Sequence, residues 1–444
     1  MPLATHDPEL HAMMQRERER QRDGVELIPS ENYVSAPVLE AMGSILTNKY
    51  SEGYPGRRYY GGNEVVDAIE RLAQQRAKTL FGVPHANVQP YSGSPANLAV
   101  YMATCRPGDV IMGHNLPDGG HLTHGAKVSA SGIFYKSVPY HVGTDGFVDF
   151  DDVWRLAREH RPKLIWCGGT AYAREYPFAR FAEVADEVGA FFAADIAHVA
   201  GLVVGGAHPS PVPHVHVVTT TTHKTLRGPR GAMIMVTDRG FKKDAELADR
   251  IDRAVFPGLQ GGPHDHTTAA IAVALGEAMK PEFKTYAAAT VANAKALAKA
   301  LLDQGFRLVT GGTDNHLLLV DLTPDGKGRG VFMQEALDAV GITVNKNTIP
   351  REPSSAFYPS GIRLGTPAAT TRGMREADMA QLATWLADVR QETLEFQLPD
   401  DREARTQVLR QFRAWVKDNR RLAAIHENVR TLCRRFPVPG IAVD

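Results

Sequence analysis

One lysine of the chain follows a β-branched run and precedes a turn, which is a setting suited to a reactive amine. Residues 217–222 predict a strand, and His223 and Lys224 come directly after it. The next residues, 225–231, are rich in glycine, proline and arginine. Because neighbouring cations favour the neutral and nucleophilic form of an amine, the sequence predicts that Lys224 forms an imine with a carbonyl compound.

An acidic residue ends a second apolar run in the same way. Residues 190–195 predict a buried strand that finishes at Asp195. Open α/β sheets bind ligands at the carboxyl ends of their strands. A carboxylate there can pair with the protonated ring nitrogen of pyridoxal phosphate (PLP), whose aldehyde a lysine binds. Alone, Asp195 would more often be a helix cap, but Asp195 and Lys224 together indicate a PLP site.

A turn of small hydroxyl residues, Ser92-Gly93-Ser94, opens a predicted helix. The exposed N–H groups and the dipole of a helix start attract phosphate. The alternative is an ordinary N-cap that binds no ligand. The sequence contains neither a GxxxxGK[ST] loop nor a GxGxxG motif after a strand, so the common nucleotide-binding motifs are excluded.

Closely spaced histidines raise the question of a metal. His121 and His124 are three residues apart, and two further histidine pairs lie in 214–216 and 264–266. Since each pair lacks a third ligand at a recognisable spacing, no metal is predicted. His121 follows two glycines and fits better as an imidazole stacked on a flat ring.

Two further segments suit an amino-acid substrate. Arg363 lies among small residues, and a guanidinium group is the usual clamp for a carboxylate; the alternative is a surface salt bridge. Residues 50–62 have too many glycines and aromatics for a helix and few aliphatics for a core. They predict a structured loop that holds tyrosine and glutamate side chains, rather than an ordinary surface loop.

The bulk composition narrows the class of protein. The 444 residues carry 50 Lys and Arg against 50 Asp and Glu, which argues against a nucleic-acid or anionic-membrane partner. Three cysteines without CxxC spacing suit a reducing compartment. There is no apolar stretch of about 18 residues and no signal-peptide pattern, so no membrane span is expected and the predicted location is cytoplasmic.

The elements that must position these residues alternate along the chain, as in an α/β fold. The apolar runs are continuous, which indicates strands buried on both faces of a sheet. The predicted strands are 109–113, 164–167, 190–195, 217–222, 232–237, 317–322 and 341–343. The main predicted helices are 7–22, 66–80, 96–104, 286–303, 380–394 and 401–419.

Taken in order, the motifs resemble those of the serine hydroxymethyltransferase family over nearly the full chain. The blocks that carry the resemblance are PSEN at 29–32, the loop 50–62, SGS at 92–94, HLTHG at 121–125, DIAH at 195–198, the Lys224 segment, FPGLQGGP at 256–263, GITVNKN at 341–347 and Arg363. The resemblance implies a fold-type I PLP-dependent transferase with a mostly parallel seven-stranded sheet in its large domain. The expected divisions are an N-terminal arm at 1–35, a large PLP-binding domain at 36–275, and a linker helix with a smaller α/β C-terminal domain at 276–444.

The resemblance also implies individual roles. Lys224 would bind PLP covalently, Asp195 would pair with the ring nitrogen and His121 would stack on the ring. The other implied cofactor contacts are Ser92, Gly93, Ser94, Thr170, His198, Thr221 and His223, with Tyr50, Gly261 and Gly262 from a neighbouring subunit. The implied substrate contacts are Ser30, Tyr60, Arg363 and Glu52, and the implied folate contacts are Leu116, Gly120, Leu122 and Asn347. Glu52, also from the neighbour, would handle proton transfer, and Tyr60 counts among the catalytic residues.

The implied reaction is the reversible transfer of the hydroxymethyl carbon of L-serine to tetrahydrofolate, giving glycine and 5,10-methylenetetrahydrofolate. Sites shared between subunits imply a homodimer, with a tetramer left open. Two alternatives share the same PLP site: an α-methylserine hydroxymethyltransferase, and a folate-independent aldolase acting on β-hydroxy amino acids. A homologue kept only for binding is disfavoured, because Lys224, Asp195, Arg363 and Glu52 are all present.

Overall fold

The computed structural model describes residues 2–441, which form two compact units. One unit is Val34–Val291, and the other combines the chain up to Tyr33 with the chain from Ala292 onward. Residues of the predicted N-terminal arm thus group with the C-terminal part of the chain, while the predicted divisions 1–35, 36–275 and 276–444 stay a prediction. Within the described residues, no helix has the length and apolar character that crossing a membrane requires.

The unit Val34–Val291 is built around a seven-stranded sheet. Five neighbouring strands run parallel, and the strand Ala232–Val236 is antiparallel to both of its neighbours. In spatial order the strands are His85–Asn87, Ala232–Val236, Val217–Thr221, Phe191–Asp195, Leu164–Cys167, Val110–His114 and Lys136–Tyr140. The predicted α/β class with a mostly parallel seven-stranded sheet is confirmed.

The central strands are buried throughout, as their continuous apolar runs predict. Every residue of Leu164–Cys167 and of Val217–Thr221 is buried. Alternate residues enter two separate hydrophobic clusters: Ile165 packs in one, and Leu164 and Trp166 pack in the other. Both faces of the sheet are therefore covered, which is why these strands lack a polar face.

Helices cover the sheet, and local signals mark the start of one of them and the end of another. Asp149 caps the helix Phe150–His160 by accepting from the backbone N–H groups of Asp151 and Asp152, and Gly82 ends the helix Glu64–Phe81 in the left-handed conformation. The other α-helices of this unit are Ala36–Met42, Gly93–Thr104, Ala130–Phe134, Phe178–Val188, Ala200–Val204, Asp238–Lys243, Leu247–Arg253 and Asp265–Ala278. The short elements are Ile45–Asn48, Gly53–Tyr54, Arg57–Arg58, Leu116–Asp118, Leu122–His124 and Ala254–Leu259.

The second unit contains a smaller antiparallel sheet. Its strands, in spatial order, are Arg307–Leu308, Leu317–Asp321, Gly361–Gly365 and Asn345–Asn347. Val25–Glu26 pairs in parallel with Ile342–Thr343. The α-helices are Leu3–His6, Pro8–Asp23, Gly330–Ala339, Pro367–Thr371, Glu376–Thr393, Arg402–Asp418 and Arg420–Arg434, with 3-10 turns at Val309–Gly311 and Thr323–Asp325. The helix Pro281–Asp303 runs across the division between the two units.

Candidate active site

The lysine predicted to be reactive lies at the carboxyl edge of the parallel strands. The strand ends at Thr221, one residue earlier than predicted, and Lys224 stands three residues beyond it, 8% exposed. The turn after it closes on the strand: Thr222 accepts at its carbonyl from the N–H of Gly228 and donates from its own N–H to the carbonyl of Gly231. The lysine therefore sits in a buried, hydrogen-bonded turn.

The segment after Lys224 is fixed from two sides. The hydroxyl of Thr225 donates to the carbonyl of His198 (2.9 Å) and accepts from the N–H of Gly201 (3.0 Å). Arg227, in the left-handed region with φ of 57°, places its guanidinium 4.1 Å from the ring centre of Tyr286. These contacts restrict the backbone that carries the amine.

Asp195 ends the strand next to the one that leads to Lys224, and its side chain is 10% exposed. Its Oδ2 accepts from Asn97 Nδ2 (2.9 Å) and lies 3.3 Å from His124 Nε2. Its Oδ1 accepts from the N–H of Ala197 (3.0 Å). The two carboxylate oxygens of Asp195 can accept about four hydrogen bonds, and the protein supplies three donors. One further donor, from a ligand, can therefore be accepted.

The charge of Asp195 is set by opposing effects. Burial alone would raise the pKa of this carboxyl. The hydrogen bond from His124, together with the charges of His124 and Lys224 nearby, outweighs burial and holds the pKa of Asp195 well below its usual range. Asp195 is therefore a carboxylate at neutral pH, as a partner for a protonated ring nitrogen must be.

A chain of hydrogen bonds links Asp195 to His121. Thr219 donates to Asn97 Oδ1 (2.7 Å), and Asn97 Nδ2 donates to the hydroxyl of Thr123 (2.8 Å). That hydroxyl lies 2.7 Å from His121 Nδ1, which also accepts from the N–H of Thr123. Burial and the neighbouring His124 lower the pKa of His121 to about 4, so its ring is neutral at pH 7 and suited to stacking on a flat ring.

The hydroxyl turn at 92–94 has the features of an anion seat rather than those of an ordinary N-cap. Ser92 occupies the N-cap position of the helix Gly93–Thr104, yet its side chain caps no N–H group. A Cβ on Gly93 would come within 2.9 Å of Thr221 Cγ2, so only glycine keeps this space open. Thr221 Oγ1 and His223 Nδ1 are buried without a hydrogen-bond partner. Unsatisfied buried groups of this kind need an explanation, and a phosphate held here would be one.

Thr170 contacts Gly120, one of the predicted folate residues, beyond the neighbouring strand ends. The hydroxyl of Thr170 donates to the carbonyl of Gly120 (2.9 Å), so these two residues are brought together. Leu116 and Leu122 are 36% and 47% exposed, which leaves their side chains available to a ligand. His198 is buried at the next strand end, after Asp195.

The loop 50–62 is structured, as predicted, and Arg58 organises it. One guanidinium nitrogen of Arg58 donates to the carbonyls of Ser51 and Gly53, 2.8 Å each. The other two nitrogens pair with Asp67 (2.8 Å) and Glu70 (2.7 Å). The residues on either side of Glu52 are therefore held by one buried arginine.

Several residues predicted to act across subunits lie together on this loop. Tyr50 donates to Glu52 Oε1 (3.2 Å), and Glu52 raises the pKa of Tyr50. The rings of Tyr50 and Tyr60 are 4.9 Å apart. A Cβ on Gly261 would stand 3.1 Å from Glu52 Oε1, and one on Gly262 would stand 3.5 Å from the ring of Tyr50. These five residues form one cluster.

Comparison with known proteins agrees with this geometry. The family model "Serine hydroxymethyltransferase" matches residues 3–386. A protein of that name from Acidothermus cellulolyticus is 56% identical over 99% of this chain and 97% of its own length. Proteins of the same name from Sorangium cellulosum and Desulfotalea psychrophila are 56% identical over 98% of this chain and 52% identical over 99%, each covered over 96% of its own length. The chain belongs to the serine hydroxymethyltransferase family. The family predicted from the motifs is thus confirmed.

Sequence reasoning missed several residues that support the site of this family member. Asn97 and Thr123 connect Asp195 to His121, and Arg58 holds the loop around Glu52. Tyr91 donates to the carbonyl of Gly262 (2.7 Å) and stacks on His264, with ring centres 4.2 Å apart. One signal was available: Asn97 lies near the start of the helix Gly93–Thr104, next to two strand ends. The partners of Arg58 lie in the loop before it and on the helix after it, and no sequence pattern pointed to them.

The remaining predicted substrate and folate residues belong to the second unit. Arg363 lies in the middle of the strand Gly361–Gly365, is 9% exposed and donates from Nε to Asn345 Oδ1 (3.0 Å). Burial lowers the pKa of Arg363 to about 10, so it stays protonated at neutral pH. A buried guanidinium is not the surface salt bridge that was the alternative. Ser30 is half-buried in a turn, and Asn347 is half-buried on the adjacent strand Asn345–Asn347.

One cluster of possible metal ligands occurs among the described residues. His121, His124 and Asp195 each offer an atom within 4.8 Å of the others. His121 Nδ1 is already hydrogen-bonded to Thr123, and His124 faces Asp195. The same arrangement keeps Asp195 ionised, and the expectation of no metal stays a prediction.

Proposed function

We propose that the chain catalyses the reversible transfer of the hydroxymethyl carbon of L-serine to tetrahydrofolate, giving glycine and 5,10-methylenetetrahydrofolate. Membership of the serine hydroxymethyltransferase family supports this reaction over the two alternatives, α-methylserine and folate-independent chemistry. One observation carries the proposal: the ionised Asp195 and the buried Lys224 follow neighbouring parallel strands at the same edge of the sheet. That pairing suits PLP and few other ligands.

The residues at this edge fit PLP. Lys224 would bind it covalently, and Asp195 would pair with its ring nitrogen. Ser92, Gly93 and Ser94 would hold its phosphate together with the otherwise unsatisfied Thr221 and His223. When bound, PLP supplies an electron sink for negative charge at Cα of the amino acid. The further contacts proposed are His121 stacked on the ring, with Thr170 and His198 beside its hydroxyl.

The chain's own side chains would position the substrates. Arg363 and Ser30 would bind the amino-acid carboxylate, because a protonated and buried guanidinium favours a carboxylate strongly. Glu52 would exchange a proton with the serine hydroxyl and with folate, and Tyr60 would stand beside it. Leu116, Gly120, Leu122 and Asn347 would line the folate site.

A second copy of the chain would complete the site. A homodimer provides that copy, and so would a tetramer. The loop carrying Tyr50, Glu52 and Tyr60 joins Gly261 and Gly262 in one cluster on one chain, so these residues could be delivered together to the partner's Lys224. The exposed rings of Tyr50 and Tyr60, 53% and 49% exposed, support this arrangement. The proposed setting is the cytoplasm.

The decisive experiment is an assay of serine cleavage with and without tetrahydrofolate. We expect rapid glycine formation from L-serine only with folate. Equal rates in its absence would favour the aldolase, and a preference for α-methylserine would favour the other alternative.

A Lys224→Ala variant tests the cofactor assignment separately. We expect it to lose the absorbance of covalently bound PLP while its circular dichroism spectrum and melting temperature stay close to those of the parent. Persistence of that absorbance would remove Lys224 from the proposal.

A further inference from the structure

A polar cavity of about 220 Å³ lies behind the loop that carries Glu52. Its walls come from the turn around Tyr54 and Arg57, from the helix Glu64–Phe81, and from the strand His85–Asn87. In the described part of the chain, none of the residues proposed to contact PLP, serine or folate lines this cavity. It is therefore a separate feature of the molecule.

Three cations face this cavity. Arg71 and Lys78 are seven residues apart on the helix, so they lie on one face of it, and Arg57 comes from the turn opposite. A Cβ on Gly56 would stand 3.3 Å from a guanidinium nitrogen of Arg71, so that arginine lies across the turn. The three groups are placed around a common space.

The positive charge of Arg57, Arg71 and Lys78 exceeds the negative charge of the residues that line the cavity. Among residues 2–441, Arg57 and Lys78 form no ion pair, and Arg71 has one long contact, 3.5 Å, to Asp67. Asp67 is already bound by Arg58 at 2.8 Å. Of the lining residues, Asp252 is the acid, so one carboxylate faces three cations; its Oδ1 lies 3.1 Å from His85 Nε2 and accepts from the amide of Asn87 (2.8 Å).

Hydrogen bonds hold the residues around the cavity in place. The hydroxyl of Tyr54 donates to the carbonyl of Asp252 (2.6 Å) and accepts from Asn87 (2.9 Å). The N–H of Gly56 donates to Asp67 Oδ2 (2.6 Å). A preformed polar cavity with an excess of positive charge is suited to an anion, because little order has to be created on binding.

We propose that this cavity binds a small phosphate-bearing anion. Two guanidinium groups and one ammonium can contact phosphate oxygens from several directions, with arginine offering paired donors and lysine a point charge. The volume exceeds that of a single phosphate group and accommodates a diphosphate. Free diphosphate and the phosphate groups of a small metabolite present the same chemistry to these cations.

Calorimetric titration of inorganic pyrophosphate into the PLP-loaded enzyme tests the site, because PLP then fills the other phosphate seat. We expect one pyrophosphate per chain, with affinity that falls as salt rises. The double variant Arg71→Gln/Lys78→Gln should weaken binding at least tenfold, roughly the effect of one lost hydrogen bond to a charged group. Both side chains are partly or fully exposed, so this variant should fold.

A matched control removes the same charge elsewhere. Lys242 and Lys284 are exposed, and Lys242→Gln/Lys284→Gln should leave pyrophosphate affinity unchanged. Equal loss in the two double variants would reduce the effect to net charge and overturn the site. So would an absence of binding to the parent enzyme, or undiminished binding by Arg71→Gln/Lys78→Gln. Arg57 lies on the turn and not on the helix, and an Arg57→Gln variant should also lose pyrophosphate affinity. Titration with methylphosphate and orthophosphate will distinguish a diphosphate site from a single-phosphate site.

Discussion

The carboxyl edge around Asp195 and the loop around Glu52 each hold a carboxylate, but they do so in opposite ways. Asp195 receives hydrogen bonds at its own oxygens from Asn97, His124 and Ala197, and it is almost fully buried. Glu52 is half-buried, and it is the backbone on either side of it that Arg58 fixes. In the proposed roles, the carboxylate that would stay charged is solvated by the protein, whereas the one that would exchange protons is positioned but left accessible.

Asp195→Asn should produce the largest change. The variant puts an amide where the protein offers three donors, and it removes the charge that would keep the ring nitrogen of PLP protonated. We expect the turnover number to fall about a thousandfold, as when a preorganised electrostatic contact is lost. The absorbance of bound PLP should shift as well. Asp186→Asn, at an exposed carboxylate, is the control; wild-type turnover by Asp195→Asn would show that this charge is not needed.

Glu52→Gln should separate the two regions. Within the described residues the side chain of Glu52 hydrogen-bonds to Tyr50 and not to the carboxyl edge, so PLP binding and its spectrum should stay as in the parent. Loss of a general acid and base should lower folate-dependent turnover about a hundredfold. Steady-state kinetics beside a PLP titration check both statements, and a variant that loses PLP affinity and turnover together would erase the contrast with Asp195.

The sequence predicted the first region better than the second. Strands buried on both faces leave long apolar runs, and Asp195 and Lys224 mark the ends of two such runs, so the sheet edge could be located from local patterns. The strand Lys136–Tyr140 was missed because it combines lysine, serine and proline, as a sheet edge tolerates.

The support of the loop could not be predicted in the same way. Arg58 acts through Asp67 and Glu70, which occupy a helix whose pattern reports only its apolar face. Likewise, the link from Thr219 through Asn97 to Thr123 joins three distant segments. Side-chain hydrogen bonds between separate elements leave no periodicity, so they become visible only in the folded chain.

Arg58→Lys should affect stability more than chemistry at the sheet edge. Lysine keeps the charge but cannot contact two carbonyls and two carboxylates at once. We expect a loss of about 2 kcal/mol in the free energy of unfolding, as for one hydrogen bond to a charged group, with the PLP spectrum unchanged. Urea denaturation measures this, and Arg57→Lys on the exposed neighbour is the control. Equal stability of the two variants would mean that Arg58 does not anchor the loop.

The smallest effect concerns the acid sensitivity of the sheet itself. Burial, with Lys243 and Arg239 nearby, lowers the pKa of His216 from 6.5 to about 4. Between these values the unfolded chain binds a proton that the folded chain does not, so stability is lost as pH falls from about 6.5 to about 4.

His216→Asn should remove that part of the pH dependence. The difference in unfolding free energy between pH 7.5 and pH 5 should shrink by about 1–2 kcal/mol relative to the parent, whatever the cost of the substitution at either pH. His160→Asn, at an exposed position, should leave the difference unchanged. If His216→Asn also leaves this free-energy difference unchanged, then His216 is not the source of the acid sensitivity. The accessible loop around Glu52, rather than the buried sheet, then becomes the region in which to look for it.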